Sequence, residues 1–264
     1  MAAFYNEIEP FLAQWLINLS NGGLIAPGEV LCKSIKDIGD KPLKYYEQVH
    51  LFAGIGGWSC ALRLVGWPDT KNVWTISCPC PPWSRARIHN LRYDKTRDER
   101  DLWPSSFQII KHNLPKQIYG EQVAGKKVQE WILRARSDLE SIGYYFVGKT
   151  TKSSLVGGPS QRERFFFFAH LDSARGERLG TSTYTSKVRP WRWGGKANLC
   201  SIVNSPFEPG DCWPQPLIRR GDDGVSNRMA ILRAYGNSID PWQAAQFINE
   251  TQIGSGSGFF LCKQ

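Results

Sequence analysis

A glycine-rich turn between two apolar segments is the first feature of the sequence that can support chemistry. Val49–Ala53 has the composition of a buried strand, Gly54-Ile55-Gly56-Gly57 follows it, and a helix is predicted from Trp58 to about Val65. A strand, a glycine-rich turn and a helix together allow the backbone to approach a nucleotide-like cofactor closely. Because glycines also occur where a helix simply packs tightly on a strand, this turn alone is a weak signal.

An acidic residue that binds the ribose hydroxyls is expected about 20 residues beyond such a turn. Only Asp69 lies in that interval, in a Pro-Asp sequence that is typical of a turn. The N-terminal segment, residues 4–10, instead offers Glu7 and Glu9 at the end of a predicted short strand. Asn6 and Glu9 also have the spacing of a helix capping box, and both interpretations can hold at once.

The elements that must position these residues alternate between strands and helices. Apolar runs predict strands at the start of Phe4–Leu19 and at Val73–Ser77, Gln117–Tyr119, Tyr144–Val147 and Phe165–Ala169. Helical spacing predicts helices in the rest of 4–19 (with Leu12, Trp15, Leu16 and Leu19 on one face), at 102–113, at 127–142, and after a turn within 233–249. This alternation indicates a doubly wound, mostly parallel α/β sheet.

Periodicity disappears from about residue 171 to 225, where Gly, Pro, Trp and Arg are frequent. We therefore expect a catalytic, cofactor-binding domain at 1–170 and a small loop-rich domain at 171–225. Residues 226–253 are expected to return to the first domain, and 254–264 to form a flexible glycine–serine tail.

Composition places the chain among ordinary folded proteins: of its 264 residues, 41% are hydrophobic and 22% charged. No apolar run is long enough to span a membrane, and residues 1–20 lack a signal-peptide pattern. Seven cysteines at no framework-like spacing indicate reduced thiols and the cytoplasm. The net charge of +9 favours a polyanionic partner, with nucleic acid the first candidate.

Five motifs resemble, in order, those of the DNA cytosine-5 methyltransferase family. The first is a glycine loop for S-adenosylmethionine at Leu51–Trp58, and the second is a Pro-Cys motif at Pro79–Ser84. The third, at Glu121–Val123, has Glu-Gln-Val in place of Glu-Asn-Val. An Arg-x-Arg motif at Arg162–Arg164 and a late Gly-Asn-Ser-Ile motif at Gly236–Ile239 complete the set. The resemblance implies a Rossmann-like S-adenosylmethionine-dependent methyltransferase fold. It also implies that the small second domain recognises the target.

Two further motifs are displaced to the N-terminus, ahead of the glycine loop. They are the acidic cofactor strand at Asn6–Phe11 and the adenine-contacting Lys36-Asp37-Ile38. We infer a permuted catalytic domain that can keep the strand order 3-2-1-4-5, because spatial neighbours can stay fixed while their connections change. His50 stands where the family usually has Asp, and Ser160 where it often has Gln.

The resemblance makes Cys80 the nucleophile, whose thiolate adds to carbon-6 of cytosine so that carbon-5 can attack a methyl group. Cys78 is the alternative nucleophile. Glu121 is expected to hydrogen-bond ring nitrogen 3 and the exocyclic amine, and Arg164, with Arg162 beside it, to hold the 2-oxo group. An ordinary strand-end carboxylate and a surface pair of arginines are the alternatives. No second Cys/His pair at zinc-ligand spacing follows the Cys motif, so no metal is expected.

The same resemblance assigns the contacts with S-adenosylmethionine. Glu7 is expected to bind the ribose (with Glu9 the alternative), Ile8 to contact the adenine face, and Asp37 with Ile38 the adenine edge. A plain turn residue is the alternative interpretation of Asp37. The remaining cofactor contacts are Phe52, Ala53, Gly54, Ile55, Gly57, Pro79, Leu102, Asn237 and Ser238.

Double-stranded DNA is the expected partner, and its cytosine must be flipped out of the stack before carbon-6 can react. Ser84, Arg85 and Arg87 begin a basic segment suited to closing on phosphates, and a solvated charge run is its alternative. Arg189 and Arg192 lie among tryptophans in a segment suited to reading DNA, although aromatic core packing explains those tryptophans about as well.

The predicted protein is a DNA (cytosine-5-)-methyltransferase with a short recognition site, related to phage or restriction–modification enzymes. We expect it to act as a monomer in the cytoplasm of a bacterium or a phage-infected cell. A catalytically lapsed DNA-binding protein and an RNA cytosine methyltransferase are the alternatives.

Overall fold

The computed structural model describes residues 2–79, 101–125, 128–156, 162–171 and 238–254, with side chains as far as Gln252. Its strands are β1 (Ala3–Glu7), β2 (Gly28–Cys32), β3 (Gln48–Leu51), β4 (Val73–Ile76), β5 (Gln117–Val123), β6 (Tyr144–Lys152) and β7 (Glu163–Leu171). Its helices are α1 (Pro10–Asn21), α2 (Gly57–Leu64), α3 (Trp103–Asn113), α4 (Gln129–Ser141) and α5 (Pro241–Gly254). The predicted second domain, 171–225, lies outside these ranges beyond Leu171, as do residues 226–237 and 255–264.

The seven strands form one sheet in the order β2-β1-β3-β4-β5-β7-β6. The first five strands are parallel, and β7 runs antiparallel to both β5 and β6. The glycine loop follows β3, so β3 takes the place of the first strand, β1 of the second and β2 of the third in a 3-2-1-4-5 arrangement. The doubly wound α/β fold is confirmed, and the strand order is kept although the N-terminal pair precedes the glycine loop in the chain.

Two apolar layers cover the two faces of this sheet. One face packs against α3 and α4 through a cluster that includes Trp74, Trp103 and Trp131. The other face packs against α2 and α5 through Trp58, Phe166 and their neighbours. Apolar runs predicted β3 and β4 well because both faces of these strands are buried.

Strand β2 was not predicted from the sequence. Its sequence, Gly-Glu-Val-Leu-Cys, has no strong apolar run, and none of its residues is fully buried because it lies at the edge of the sheet. Strands β5, β6 and β7 also extend further than predicted. Their additional residues are largely polar, and pairing with a neighbouring strand holds them.

The predicted capping box at the start of α1 is wrong. The Glu9 side chain makes no capping hydrogen bond, and Asn6 Nδ2 instead donates to the carbonyl of Lys33 (2.8 Å). Glu7 Oε1 accepts from the backbone N–H groups of Ile8 and Glu9, both at 2.9 Å. The Glu7 carboxylate therefore holds the turn that connects β1 to α1.

Candidate active site

The carboxyl ends of the parallel strands bring chain-distant segments to one edge of the sheet. Strand β1 ends at Glu7, β3 leads into the glycine loop, and β4 leads into Ser77-Cys78-Pro79. Glu121 lies near the carboxyl end of β5. Ligands of open α/β sheets bind at this edge, so the structure gathers the described candidate residues where a site is expected.

The glycine loop adopts the left-handed backbone that a close turn requires. Phe52, Gly54 and Gly56 have φ of 56°, 57° and 87°. A Cβ built at Gly54 meets no heavy atom within 4 Å, so the loop is open on that side. A Cβ at Gly57 would lie 2.8 Å from Ile239 Cγ1, which places the end of the late Gly-Asn-Ser-Ile motif against the start of α2.

Glu7 joins the N-terminal strand to this loop. Its Oε2 accepts from the backbone N–H of Gly54 at 2.8 Å, and the N–H of Ala53 donates to the carbonyl of Asn6, also at 2.8 Å. A carboxylate has about four acceptor positions, and the three N–H groups on Glu7 leave one for a ribose hydroxyl. Glu9 is exposed at the helix start, so its position supports Glu7 as the ribose acid.

The remaining cofactor candidates surround the loop with different exposures. Ile8 is 63% exposed, a suitable state for a side chain that covers an adenine ring. Asp37 is exposed at the end of the 3-10 turn Ile35–Asp37, whereas Ile38 is 6% exposed and packs in the core. The other described candidates are Ala53, which is buried, Ile55 and Leu102, which are half-buried, Pro79, which is exposed, and Ser238, which is half-buried.

A buried ion pair joins β5 to β7. Arg164 Nε lies 2.7 Å from Glu121 Oε1, and the two side chains are only 16% and 8% exposed. The alternative of a surface arginine pair is therefore wrong for Arg164. Burial raises the pKa of Glu121, and the charges of Arg164 and Arg162 and a hydrogen bond from Ser77 oppose that rise.

Arg162 connects this pair to the late motif. Its Nη2 donates to the carbonyl of Ser238, and its own carbonyl accepts from the N–H of Ser153 at 3.0 Å. Burial and the nearby Arg164 lower the pKa of Arg162. Asp240 then caps α5 by accepting from the N–H of Trp242 at 3.0 Å. A hydrogen bond thus holds the Arg-x-Arg motif against the end of the Gly-Asn-Ser-Ile motif.

Cys78 is 3% exposed and packs in the core, so its thiol cannot reach an entering base without rearrangement. Gln122 Nε2 donates to the Cys78 carbonyl at 3.1 Å, which fixes the chain two residues before Cys80. Seven candidates lie outside the described residues: Cys80, Ser84, Arg85, Arg87, Arg189, Arg192 and Asn237.

Sequence reasoning did not single out Ser77, Gln122 or Trp58 as site residues. Trp58 Nε1 donates to Ser77 Oγ at 2.9 Å, so these residues link the glycine-loop helix to the Cys segment. Gln122 stood out only as a departure from Glu-Asn-Val, and its contacts depend on how β5 faces the end of β4.

No metal site or membrane helix is found where the structure describes the chain. Within the described ranges, no cluster of three or more His, Cys, Asp or Glu is arranged to hold a metal ion. In the same part of the chain, no helix is both long and apolar enough to cross a bilayer.

The sheet order and the glycine loop define a class: a doubly wound, Rossmann-like α/β fold with a glycine loop after its β3 strand. Within that class, residues 68–190 match the family described as C-5 cytosine-specific DNA methylase, which confirms the resemblance carried by the motifs. No curated protein sequence matches the chain.

Several solved structures are similar to part of the chain. A Spodoptera frugiperda DNMT2 mutant is 14% identical, with a TM-score of 0.41, and the match covers 65% of this chain and 43% of that one. The S. pombe Dnmt2 methyltransferase is 18% identical, with a TM-score of 0.41 and coverage of 67% and 52%. A DNA modification methyltransferase encoded within an E. coli prophage is 13% identical, with a TM-score of 0.38 and coverage of 64% and 40%. The chain spans about half, or less, of the length of these proteins.

Proposed function

We propose that the protein transfers a methyl group from S-adenosylmethionine to carbon-5 of a flipped cytosine in duplex DNA. The observation that carries this proposal is the buried Glu121–Arg164 pair, at the same sheet edge as the glycine loop and the segment leading to Cys80. A carboxyl and a guanidinium held together offer the groups needed to bind a pyrimidine edge, and a thiol is the group needed to attack its ring.

The cofactor fits the glycine loop on three observations. The loop is open at Gly54, Glu7 retains an acceptor position beside it, and Ile8 presents an exposed apolar surface. We assign Glu7 to the ribose, Ile8 to the adenine face, and Asp37 to the adenine edge. S-adenosylmethionine, when bound there, would supply an electrophilic methyl group.

The other steps of the proposed reaction are assigned to side chains of the protein. The Cys80 thiolate forms a bond to carbon-6, and Glu121 gives a proton to ring nitrogen 3 as negative charge moves into the ring. Arg164 holds the 2-oxo group, and Arg162 braces it. After methylation, the carbon-5 proton leaves to a base or a water molecule, the bond between Cys80 and carbon-6 breaks to restore the thiolate, and ring nitrogen 3 returns its proton to Glu121.

The distribution of charge supports DNA as the partner. The described residues hold 14 of the 33 Lys and Arg but 15 of the 24 Asp and Glu, so the positive excess lies wholly in the rest of the chain. That remainder includes 80–100, with Ser84, Arg85 and Arg87, and 172–237, with Arg189 and Arg192. We assign phosphate contacts to the first segment and target recognition, of a short site, to the second.

The assignment is tested by transfer of labelled methyl from S-adenosylmethionine to unmethylated duplex DNA, with the product bases identified by mass spectrometry. We expect 5-methylcytosine from the wild type and none from Cys80→Ala. Cys78→Ala is the matched control, because it removes a buried thiol two residues away and should keep transfer.

Three outcomes would contradict the proposal. Transfer by Cys80→Ala would exclude Cys80 as the nucleophile. Preference for transfer RNA over duplex DNA in competition would assign an RNA substrate. Absence of both transfer and cofactor binding would favour a lapsed DNA-binding protein. Light scattering of the DNA-free protein tests the monomer, and fractionation of producing cells tests the cytoplasmic location.

A further inference from the structure

Three consecutive residues of the glycine loop are tied to β1 and α1 by hydrogen bonds. Two of these bonds, in which the Asn6 carbonyl and the Glu7 carboxylate accept from backbone N–H groups of the loop, are both 2.8 Å long. The third bond has the opposite polarity. Trp15 Nε1, in the second turn of α1, donates to the carbonyl of Ile55 at 3.2 Å.

The Ile55 carbonyl lies just outside the hydrogen-bond ladder of α2. The N–H of Cys60 donates to the carbonyl of Gly56 at 3.1 Å, and this bond begins the ladder. A carbonyl one residue earlier takes its donor from elsewhere, and an indole N–H is a donor only. Trp15 thus fixes the orientation of the peptide group between Ile55 and Gly56, directly before the helix.

Apolar contacts hold α1 against the same loop. A Cβ built at Gly56 would lie 3.3 Å from Leu16 Cδ2 and 3.5 Å from Leu19 Cδ1, so α1 packs directly on the loop. Leu16 is wholly buried, whereas the neighbouring Trp15 is 39% exposed. The leucines therefore supply the core packing of α1, and the indole at the border of that face binds the loop.

We propose that Trp15 is a positioning residue for the cofactor, whose indole N–H holds the glycine loop in the conformation that S-adenosylmethionine binds. This inference rests on the proposed function, in which the cofactor contacts the loop. Gly54 and Gly56 have positive φ, and glycines leave many other conformations open to a loop that is not held. Because a partly populated binding state weakens the apparent affinity, removing the indole N–H should weaken cofactor binding.

The first test is calorimetry of the apo protein with S-adenosylmethionine, which is independent of methyl transfer. Trp15→Phe keeps an aromatic ring and removes the N–H, and it should fold because the side chain is 39% exposed. We expect its dissociation constant to rise about three- to tenfold, the effect of losing one neutral hydrogen bond.

Trp67→Phe is the matched control for the affinity measurement. Trp67 Nε1 donates to the carbonyl of Lys71 at 3.0 Å, in the turn before β4. The variant loses the same kind of indole–carbonyl bond outside the glycine loop. Its dissociation constant for S-adenosylmethionine should therefore stay within about 1.5-fold of the wild-type value, although its stability should fall.

The second test observes the indole directly. In ¹⁵N–¹H spectra of protein labelled at its tryptophan indoles, the Trp15 signal is assigned by its absence from Trp15→Phe. Saturating S-adenosylmethionine should shift this signal and slow the exchange of its proton with solvent, because the bound loop holds the acceptor more tightly. The Trp67 signal should stay in place. A Trp15 signal that does not respond to the bound cofactor overturns the positioning role.

Kinetics distinguish a positioning residue from a catalytic one. Trp15→Phe should raise KM for S-adenosylmethionine about three- to tenfold and leave kcat within about twofold, because a saturating cofactor itself holds the loop. Equal dissociation constants for the wild type and Trp15→Phe overturn the inference. A wild type that binds the cofactor but transfers no methyl to DNA overturns the proposed function alone, since the affinity comparison needs no transfer. A wild type that binds no S-adenosylmethionine overturns both.

Discussion

His50 is a wholly buried imidazole in the middle of the parallel sheet. Its Nδ1 lies 2.8 Å from Thr75 Oγ1 and its Nε2 3.3 Å from Gln48 Oε1, while its ring stacks on Tyr5 at a centroid distance of 4.8 Å. A neutral ring with Nε2–H donating to Gln48 and Nδ1 accepting from Thr75 satisfies all these groups. Burial lowers the pKa of His50 to about 3.

The low pKa of His50 predicts that the protein loses stability as the pH falls. In the unfolded chain a histidine binds a proton below about pH 6.5, whereas the folded state excludes it down to about pH 3. The contribution of His50 to stability is therefore fully present above pH 6.5 and is lost progressively as the pH falls toward 3. Urea unfolding between pH 7.5 and 4.5 should show a steeper loss for the wild type than for His50→Asn. Equal slopes would contradict a neutral buried His50.

The Glu121–Arg164 pair gives a second prediction at the scale of residues. Arg164→Met leaves the Glu121 carboxyl buried without its cation, at a cost of about 3–5 kcal/mol when it is charged. Losing Arg164 further raises the pKa of Glu121, so the penalty grows as the pH rises above about 4.3 toward that raised value. Urea unfolding at pH 5 and pH 8 measures the difference.

Arg136→Met is the matched control for that experiment. Arg136 pairs with Glu140 at 2.7 Å on the surface of α4, with both side chains more than 40% exposed. An exposed pair of this kind contributes about 0.3–0.5 kcal/mol. If Arg164→Met costs no more than Arg136→Met at pH 8, the pair is not buried as described.

At the scale of elements, the start of α2 and the residues preceding α5 are packed with almost no free space. Gly57 begins α2, and a Cβ there would approach Ile239 Cγ1 at 2.8 Å and its carbonyl oxygen at 3.6 Å. Ile239 is itself 6% exposed. Glycine at position 57 therefore allows the late motif to lie against the glycine loop.

Gly57→Ala should accordingly destabilise the protein by about 1–3 kcal/mol through overpacking, and weaken S-adenosylmethionine binding. Ile239→Ala removes the obstructing atoms, so adding Gly57→Ala to that variant should cost much less. A double-mutant cycle by urea unfolding and calorimetry measures the coupling. Additive effects in the cycle would show that the two residues do not touch.

At the scale of the whole molecule, the permuted order is possible because the relevant chain ends meet at the amino edge of the sheet. The N–H of Gln48 donates to the carbonyl of Ala2 at 2.8 Å, and Gln48 Nε2 donates to the carbonyl of Pro68 at 3.3 Å. Asn72 Nδ2 donates to the carbonyl of Tyr46 at 3.4 Å. These contacts define where the chain can be cut and rejoined.

A rearranged chain should therefore fold. Residues 47–68 come first and are followed by a short glycine–serine linker and then by residues 2–46. Tyr46 is joined directly to Asn72, so residues 69–71 are left out. Because strand neighbours are unchanged and loop closure depends weakly on length, we expect cooperative unfolding within about 2 kcal/mol of the wild type, and cofactor binding. Circular dichroism and calorimetry measure both.

The control for the rearranged chain starts at Glu47 and lacks residues 2–46. It loses two strands and Glu7, and should bind no S-adenosylmethionine. If this truncated chain binds the cofactor, the N-terminal strands do not form part of its site. If the rearranged chain fails to unfold cooperatively, the order of connections matters more than the pairing of strands.

The sequence by itself determined the class of fold, the family resemblance and most of the elements. Apolar runs identified β3 and β4 because both faces of these strands are covered. The motifs singled out Glu7, Glu121 and Arg164, and the structure places Glu7 and Glu121 near the carboxyl ends of parallel strands, with Arg164 against Glu121. The sequence also predicted an acidic strand at the N-terminus, and the structure pairs that strand, β1, directly with β3.

Only the tertiary structure decided which groups touch. It joined Glu7 to Gly54, placed the Asn6 amide on the Lys33 carbonyl where a capping box was expected, and buried Cys78. It also found β2, whose pairing with β1 compensates for a weak local pattern. The Trp58–Ser77 hydrogen bond could likewise be found only in the structure. Contacts between segments distant in the chain depend on how the sheet aligns the ends of its strands, and the spacing of residues in the sequence does not determine that alignment.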